Sequence, residues 1–396
     1  MTGFPPVLPG PAGLPGGPDL NAVVVCLGLL ALGFAALLRA PRKGSVALGA
    51  LAFLVGLGGA VLGVRMAHDA AGLGRITEYD RFVAHGVELT GEAPTVLFVG
   101  SSVSRNAVDD TALTAGFRAA GAPHQAINLS LQGASYFERL SRVERYIALT
   151  GKAPEIVFLE VSREFDTRPA FAFKVGKFSA RAIDQFTPLP ARLTGEGLLA
   201  GQCPGLKDCV IDGVLLPVHA GMNAVNLGLA NMAAPIGSAD PHPAFDALTA
   251  PLGEPVDPLL RRAGLSARAE VVALSGPDWA QAWRTQERAR LAALGVNTVA
   301  YYFPPVISAE DRAYAAGLCA GELSQFTCLA AHSDALLEAL DGDVWADPAH
   351  MMAPGAALYT AALGEAVRAS GLLGTPAAPR ADADIALRPR QEGDAS

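Results

Sequence analysis

The sequence predicts an α/β fold, a three-layer sandwich around a parallel sheet, preceded by two transmembrane helices. Three observations carry that expectation. Short β-branched apolar runs alternate with amphipathic stretches of about 12 residues, the rhythm of strands joined by covering helices. Two long uncharged apolar runs stand near the N-terminus. Two polar motifs, Gly100-Ser101-Ser102 and Asp347-Pro348-Ala349-His350, fall where an open sheet presents its chemistry.

The chain has 396 residues, 51% of them hydrophobic, and a mean hydropathy of +0.31. That is above the usual range for a soluble protein, and the excess sits at the start. Residues 1–18 are crowded with Pro and Gly and read as a disordered leader. Residues 20–38 and 45–64 carry no charge, and each approaches the roughly 20 apolar residues that cross a bilayer. A cleaved signal peptide is the rival for the first run, but no Lys or Arg precedes it and Asp19 stands at its entrance. Together they make a two-helix hairpin over 19–66. The link Arg39-Ala-Pro-Arg-Lys-Gly44 is dense in positive charge and belongs in the cytoplasm, which places both chain ends outside it. Arg65 and Arg75 follow on the outer side against that rule, but more sparsely. The expectation is a two-pass protein of the cytoplasmic (inner) membrane with its folded domain extracytoplasmic, in a periplasm.

That domain is expected over 75–373. Strands read at 96–99, 125–129, 156–161 and 297–303, and helices at 109–120, 136–149, 278–294 and 354–369. Between about 168 and 274 the chain is rich in Pro, Gly and Ala, and reads as an inserted cap. Residues 374–396 read as a disordered tail. Cys26 lies in the first apolar run, while Cys203 with Cys209, and Cys319 with Cys328, stand close enough to suggest two local disulfides in an oxidising compartment. Zinc is the rival reading, though no Cys-x-x-Cys occurs and His332 is the only histidine nearby. No metal or cofactor is expected. The net charge of −8 argues against nucleic acid as a partner.

The chemistry-bearing residues come in the order Ser, Asp, His. The run Thr95-Val-Leu-Phe-Val-Gly-Ser-Ser102 delivers a serine onto a tight turn after a buried strand. Asp347 and His350 stand one helical turn apart before the last helix. A serine hydroxyl is a weak nucleophile that needs a neighbouring base, and the base needs a partner to fix its tautomer. Ser102, His350 and Asp347 supply these roles, with the backbone N–H groups of Ser102 and Gly133 as oxyanion donors. Each motif alone has a bland explanation: Gly-Ser-Ser is a common turn, and Asp347 could simply cap the following segment. Order and placement at strand ends favour the triad. Ser101 and Tyr302 are candidates to line the substrate cleft. Glu160 and Glu164 stand too close in one loop to set a glycosidase-like separation. Trp279 and Trp283, four apart on a helix, read as packing residues. His124 reads as structural or surface, and Val99, Leu129 and Phe158 as core.

These motifs resemble those of the SGNH (GDSL-type) hydrolase superfamily, in its membrane-anchored branch that includes O-acetyl and D-alanyl transfer proteins of envelope polymers. Gly100-Ser101-Ser102 stands at the family's Gly-Asp-Ser block, Asn128-Leu-Ser-Leu-Gln-Gly133 at its oxyanion-glycine block, and Asp347-Pro-Ala-His350 at its Asp-x-x-His block. The resemblance implies a flavodoxin-like three-layer sandwich and a serine esterase or O-acyltransferase. It also implies an acylated glycan or lipid-linked substrate and a membrane-bound O-acyltransferase as partner. One block departs: where the family has Gly-x-Asn-Asp, this chain reads Leu159-Glu-Val-Ser-Arg-Glu-Phe165. Loss of such an oxyanion donor costs on the order of 100-fold in rate, and Ser162 or Arg163 is the substitute in reach. The departure also motivates a second expectation, a catalytically silent scaffold of a polymer-modifying complex. A lipase-like role ranks last, since no amphipathic lid is evident.

Overall fold

A computed structural model describes residues 91–131, 134, 136–167, 245–268 and 270–374, with scattered positions between 48 and 89. Five strands, β1 (Thr95–Val99), β2 (Gln125–Asn128), β3 (Ile156–Glu160), β4 (Thr298–Tyr302) and β5 (Cys328–Leu329), form one sheet in the order β2-β1-β3-β4-β5. All pairings are parallel. This is the 2-1-3-4-5 order of doubly wound sheets of the flavodoxin type, in which the chain reverses its direction of travel between β1 and β3. The helices are α1 (Ser102–Ala107), α2 (Asp110–Ala119), α3 (Tyr136–Thr150), α4 (Arg163–Thr167), α5 (Pro258–Ser266), α6 (Asp278–Ala293), α7 (Ala309–Ala320), α8 (Asp334–Ala339) and α9 (Ala353–Ala369).

The strands read as unbroken apolar runs because both faces of the sheet are covered. Successive side chains alternate between two cores. Leu97, Val99, Val157, Leu159 and Tyr301 face α3, α6 and α7, whereas Val96, Phe98, Ile156, Phe158 and Tyr302 face α2, α5, α8 and α9. In the second core Phe98 and Phe158 stack at 4.9 Å between ring centres, and Tyr302 meets Phe98 edge-on at 5.5 Å. Helix starts are sealed by side-chain acceptors at Asp109, Asp257, Ser308 and Ser333, which bind N–H groups the first turn leaves unpaired.

The four longer strands and helices α2, α3, α6 and α9 lie within a residue of the sequence-based bounds. The sequence reading did not anticipate α1, α4, α7, α8 or β5. The Pro304-Pro305 break concealed α7, whose alanine-rich turns carry little apolar contrast, and β5 has two residues. The end of the expected cap belongs to the sandwich: Leu265 of α5 is buried in the second core, and Leu248 bridges Met352 ahead of α9. The rest of that segment, with Cys203 and Cys209, lies outside the described residues. Cys319 and Cys328 are joined by a disulfide linking α7 to β5. Among the described residues no helix is long and apolar enough to cross a membrane; residues 20–38 lie outside them, and 45–64 lie only partly inside.

Behind α3, a polar cluster is buried. Asp166 of α4, with no exposed surface, accepts two hydrogen bonds from Arg284 Nη1 at 2.8 and 2.9 Å and one from the Tyr314 hydroxyl at 2.9 Å, and the Tyr136 hydroxyl donates to it as well. Trp279 and Trp283 pack here against Tyr136 and Phe165 rather than on the sheet. Beside it, Glu287 is buried and neither carboxylate oxygen has a hydrogen-bond partner among the described residues. Burial pushes its carboxyl up to about 7, although Arg139, Arg284 and Arg288 pull the other way. A carboxyl raised in the folded state contributes stability fully below its unfolded value of 4.5 and loses it as pH climbs towards 7. Glu287→Gln is therefore expected to flatten the fall in stability across that window and to leave the protein more stable at pH 8, by on the order of 3 kcal/mol. Thermal melts of both proteins at pH 5 and pH 8 check this.

Candidate active site

The C-terminal ends of β1 and β3, at the reversal of strand order, hold the candidate residues. Ser102 is the first residue of α1, directly beyond β1, and Ser101 is its N-cap. Asp347 and His350 sit on a tight turn before α9. This turn is closed by the Ala346 N–H donating to His350 O at 2.8 Å and by an antiparallel bridge between Trp345 and Met351. The Ile307 N–H donates to Pro348 O at 3.0 Å and ties it to the loop after β4.

Within this turn Asp347 does two jobs. Its Oδ1 accepts the N–H groups of Ala349 at 2.7 Å and His350 at 2.8 Å, fixing the backbone, and its Oδ2 lies 2.8 Å from His350 Nδ1. His350 Nε2 lies 2.8 Å from Ser102 Oγ. An ionised Asp347 can only accept, so the imidazole proton belongs on Nδ1 and the Nε2 lone pair faces the serine. Burial alone would raise the Asp347 carboxyl, but the His350 ring and the two backbone N–H groups hold it below its ordinary value. The His350 and Asp347 side chains are 19% and 33% exposed, so an external molecule can reach them.

Two buried arginines on α3 anchor the strand ends that carry these groups. Arg142 donates from Nη1 to Leu129 O, from Nη2 to Gly100 O at 3.2 Å and from Nε to Glu138 O at 3.1 Å. Arg139 donates from Nη1 to Glu160 O. The last carbonyl of β3 and those just following β1 and β2 thus find buried donors where the ladder ends. Asn128 secures the other side, donating to Ser104 O at 3.2 Å and Val108 O at 2.8 Å and accepting from the Ser130 N–H at 2.9 Å.

No acceptor binds the Ser102 N–H among the described residues, which leaves it open to a developing oxyanion. Gly133, the second expected donor, lies outside the described residues. Ser162 follows β3 at the same sheet edge, half-buried, with its carbonyl accepting the Asp166 N–H at 3.2 Å. Arg163 turns away to Glu310 at 2.6 Å and Asp311 at 3.3 Å on α7.

Two cleft assignments need correction. Ser101 is buried and its hydroxyl is committed to Glu160. Tyr302 has no exposed surface because strand alternation turns it into the second core with Phe98 and Phe158. Burial, with the Glu160 charge adding to it, raises its hydroxyl well above the ordinary value. Glu160, which the sequence offered only as half of a rejected carboxylate pair with Glu164, is the buried acceptor that holds Ser101. Its signal was a charge closing an otherwise apolar strand, a pattern that asks for a buried partner.

No protein-family model, curated protein or solved structure matches this chain. Its chemistry is therefore read from its own residues. A serine hydroxyl in contact with an imidazole that is held by a carboxylate can attack an acyl carbonyl, and the imidazole carries the proton to the leaving group.

Proposed function

We propose that this protein is a serine-dependent acyl-ester hydrolase or O-acyltransferase of the SGNH type, anchored in the cytoplasmic membrane and acting outside the cytoplasm. The observation that carries the reading is the relay from Ser102 Oγ through His350 to Asp347, with both contacts at 2.8 Å. Ser102 attacks the ester carbonyl while His350 takes its proton; His350 then protonates the departing alcohol, leaving an acyl-enzyme on Ser102. Water or a sugar hydroxyl, deprotonated by His350, resolves it, and that choice alone separates hydrolase from transferase. Asp347 holds the imidazole and stabilises its charged form.

Support for the anchor comes from the described positions between 48 and 66. They are helical, and Leu48, Leu51, Val55, Leu62 and Met66 each expose more than half of their surface although 45–64 carries no charge. An apolar helix so exposed suits a lipid environment. The Cys319–Cys328 disulfide fits an oxidising compartment. On this reading the substrate is an acylated envelope glycan or lipid-linked polymer, and a membrane-bound O-acyltransferase is the natural donor of acyl groups. The Leu159-to-Phe165 block, without the family's Asn, favours a second reading as a silent scaffold.

Full-length protein in detergent, offered p-nitrophenyl acetate and an O-acetylated oligosaccharide, separates the two. Acetate release from both, absent in Ser102→Ala, is the expected result. Folded protein that turns over neither contradicts the enzyme reading.

A further inference from the structure

We infer that Glu160 is a positioning residue for the nucleophile: its carboxylate grips the turn 100–104 from below and works with Ser101 as a pair. This rests on Ser102 being the nucleophile.

Glu160 is 1% exposed, at the end of β3 and beside β1. A buried carboxylate is costly unless its oxygens are satisfied. The same protein shows the ordinary solution at Asp166, which is met by the guanidinium of Arg284. Glu160 is treated otherwise. Among the described residues no cation donates to its carboxylate, and Arg139 binds only its backbone carbonyl. Among the described residues every donor comes from the nucleophile turn: Ser101 N at 2.8 Å and Ser104 Oγ at 2.5 Å to Oε2, and Ser101 Oγ at 2.8 Å to Oε1 and 3.1 Å to Oε2. The turn is wrapped so tightly that a Cβ on Gly100 would stand 2.3 Å from Oε2. Glycine there is a demand of this contact.

The contact has a directional consequence. A hydroxyl has one proton, and Ser101 gives it to Glu160, so a lone pair remains to cap the Val103 N–H at 3.2 Å. With the Ser101 and Val103 N–H groups both committed, the Ser102 N–H, which has no acceptor among the described residues, stands beside its own hydroxyl. Glu160 thereby decides which backbone donor faces the substrate. The buried phenols of Tyr302 from β4 and Tyr359 from α9 feel the Glu160 charge and bring no positive charge of their own.

The test measures kcat and KM on p-nitrophenyl acetate for full-length wild type, Glu160→Gln, Ser101→Asp and the double variant, with near-UV circular dichroism reporting the fold. Glu160→Gln places an amide donor against donors, and kcat is expected to fall about tenfold or more with KM within about twofold. Ser101→Asp sets two carboxylates in contact and is expected to lose at least as much. Joining them moves the carboxylate across the same contact, and kcat is expected to recover about tenfold over Ser101→Asp alone. Unchanged kcat in Glu160→Gln, or losses that simply add in the double variant, would overturn the inference while leaving Ser102 as the nucleophile. A wild type that turns over nothing sinks the nucleophile assignment and this inference with it.

Discussion

Ser102→Ala is expected to reduce ester turnover by on the order of 10⁴-fold or more, because no acyl-enzyme can then form. His350→Ala should match it, and the double variant should be no worse than either single one, since members of one relay do not act independently. Asp347→Asn is the more informative change. The asparagine amide can present a donor to Nδ1, which favours the tautomer whose Nε2 carries the proton and cannot accept from Ser102, and a loss of about 10³- to 10⁴-fold is expected. Because Asp347 Oδ1 also holds the 347–350 turn, Asp347→Ala should add a loss of stability that Asn largely avoids. Initial rates paired with melting curves for these variants distinguish the two roles.

Arg284→Met is expected to be the most destabilising single change in the described core. It strips Asp166 of both guanidinium hydrogen bonds in a site without exposed surface, and it frees Glu322, which Arg284 holds at 2.6 and 2.8 Å. Breaking such a pair costs about 3–5 kcal/mol because a charge is left buried and alone. For a domain of this size the melting point should drop by about 10 °C. Asp166→Asn combined with Arg284→Met should recover a large part, as both charges then leave together. The pH dependence has a definite sign. Burial would raise the Glu322 carboxyl, but Arg284 brings it below its ordinary 4.5, so its contribution is complete above that value and is lost as pH falls through the lowered one. Arg284→Met should therefore show less acid sensitivity from this group. Since α4 begins directly after Ser162, the same network steadies the edge of the site.

The sheet was legible because each long strand is a β-branched or aromatic run bounded by Gly, Pro or polar residues. The meeting of Ser102, Asp347 and His350 was legible because they keep their order and stand at strand ends. What escaped shares a physical origin. Helix α7 carries alanine on most faces and β5 is too short to establish a period, so periodicity had nothing to measure. Tyr302 closes a strand, and a side chain there can point to the cleft or to the core; only the register with Phe158 and Ala300 settles it. Ser101 looked free because its partner, Glu160, is 59 residues away. Long-range polar pairing leaves no local pattern, and the same holds for Arg139 and Arg142, which a helical reading of 136–149 would place on a solvated face.

The most direct test of the central claim is active-site labelling. Full-length protein is treated with a fluorophosphonate and the modified peptide identified by mass spectrometry, alongside Ser102→Ala and His350→Ala. The account predicts a single adduct on Ser102 in the wild type and none in either variant. Folded wild-type protein that takes no label, or one that labels equally without His350, would contradict it.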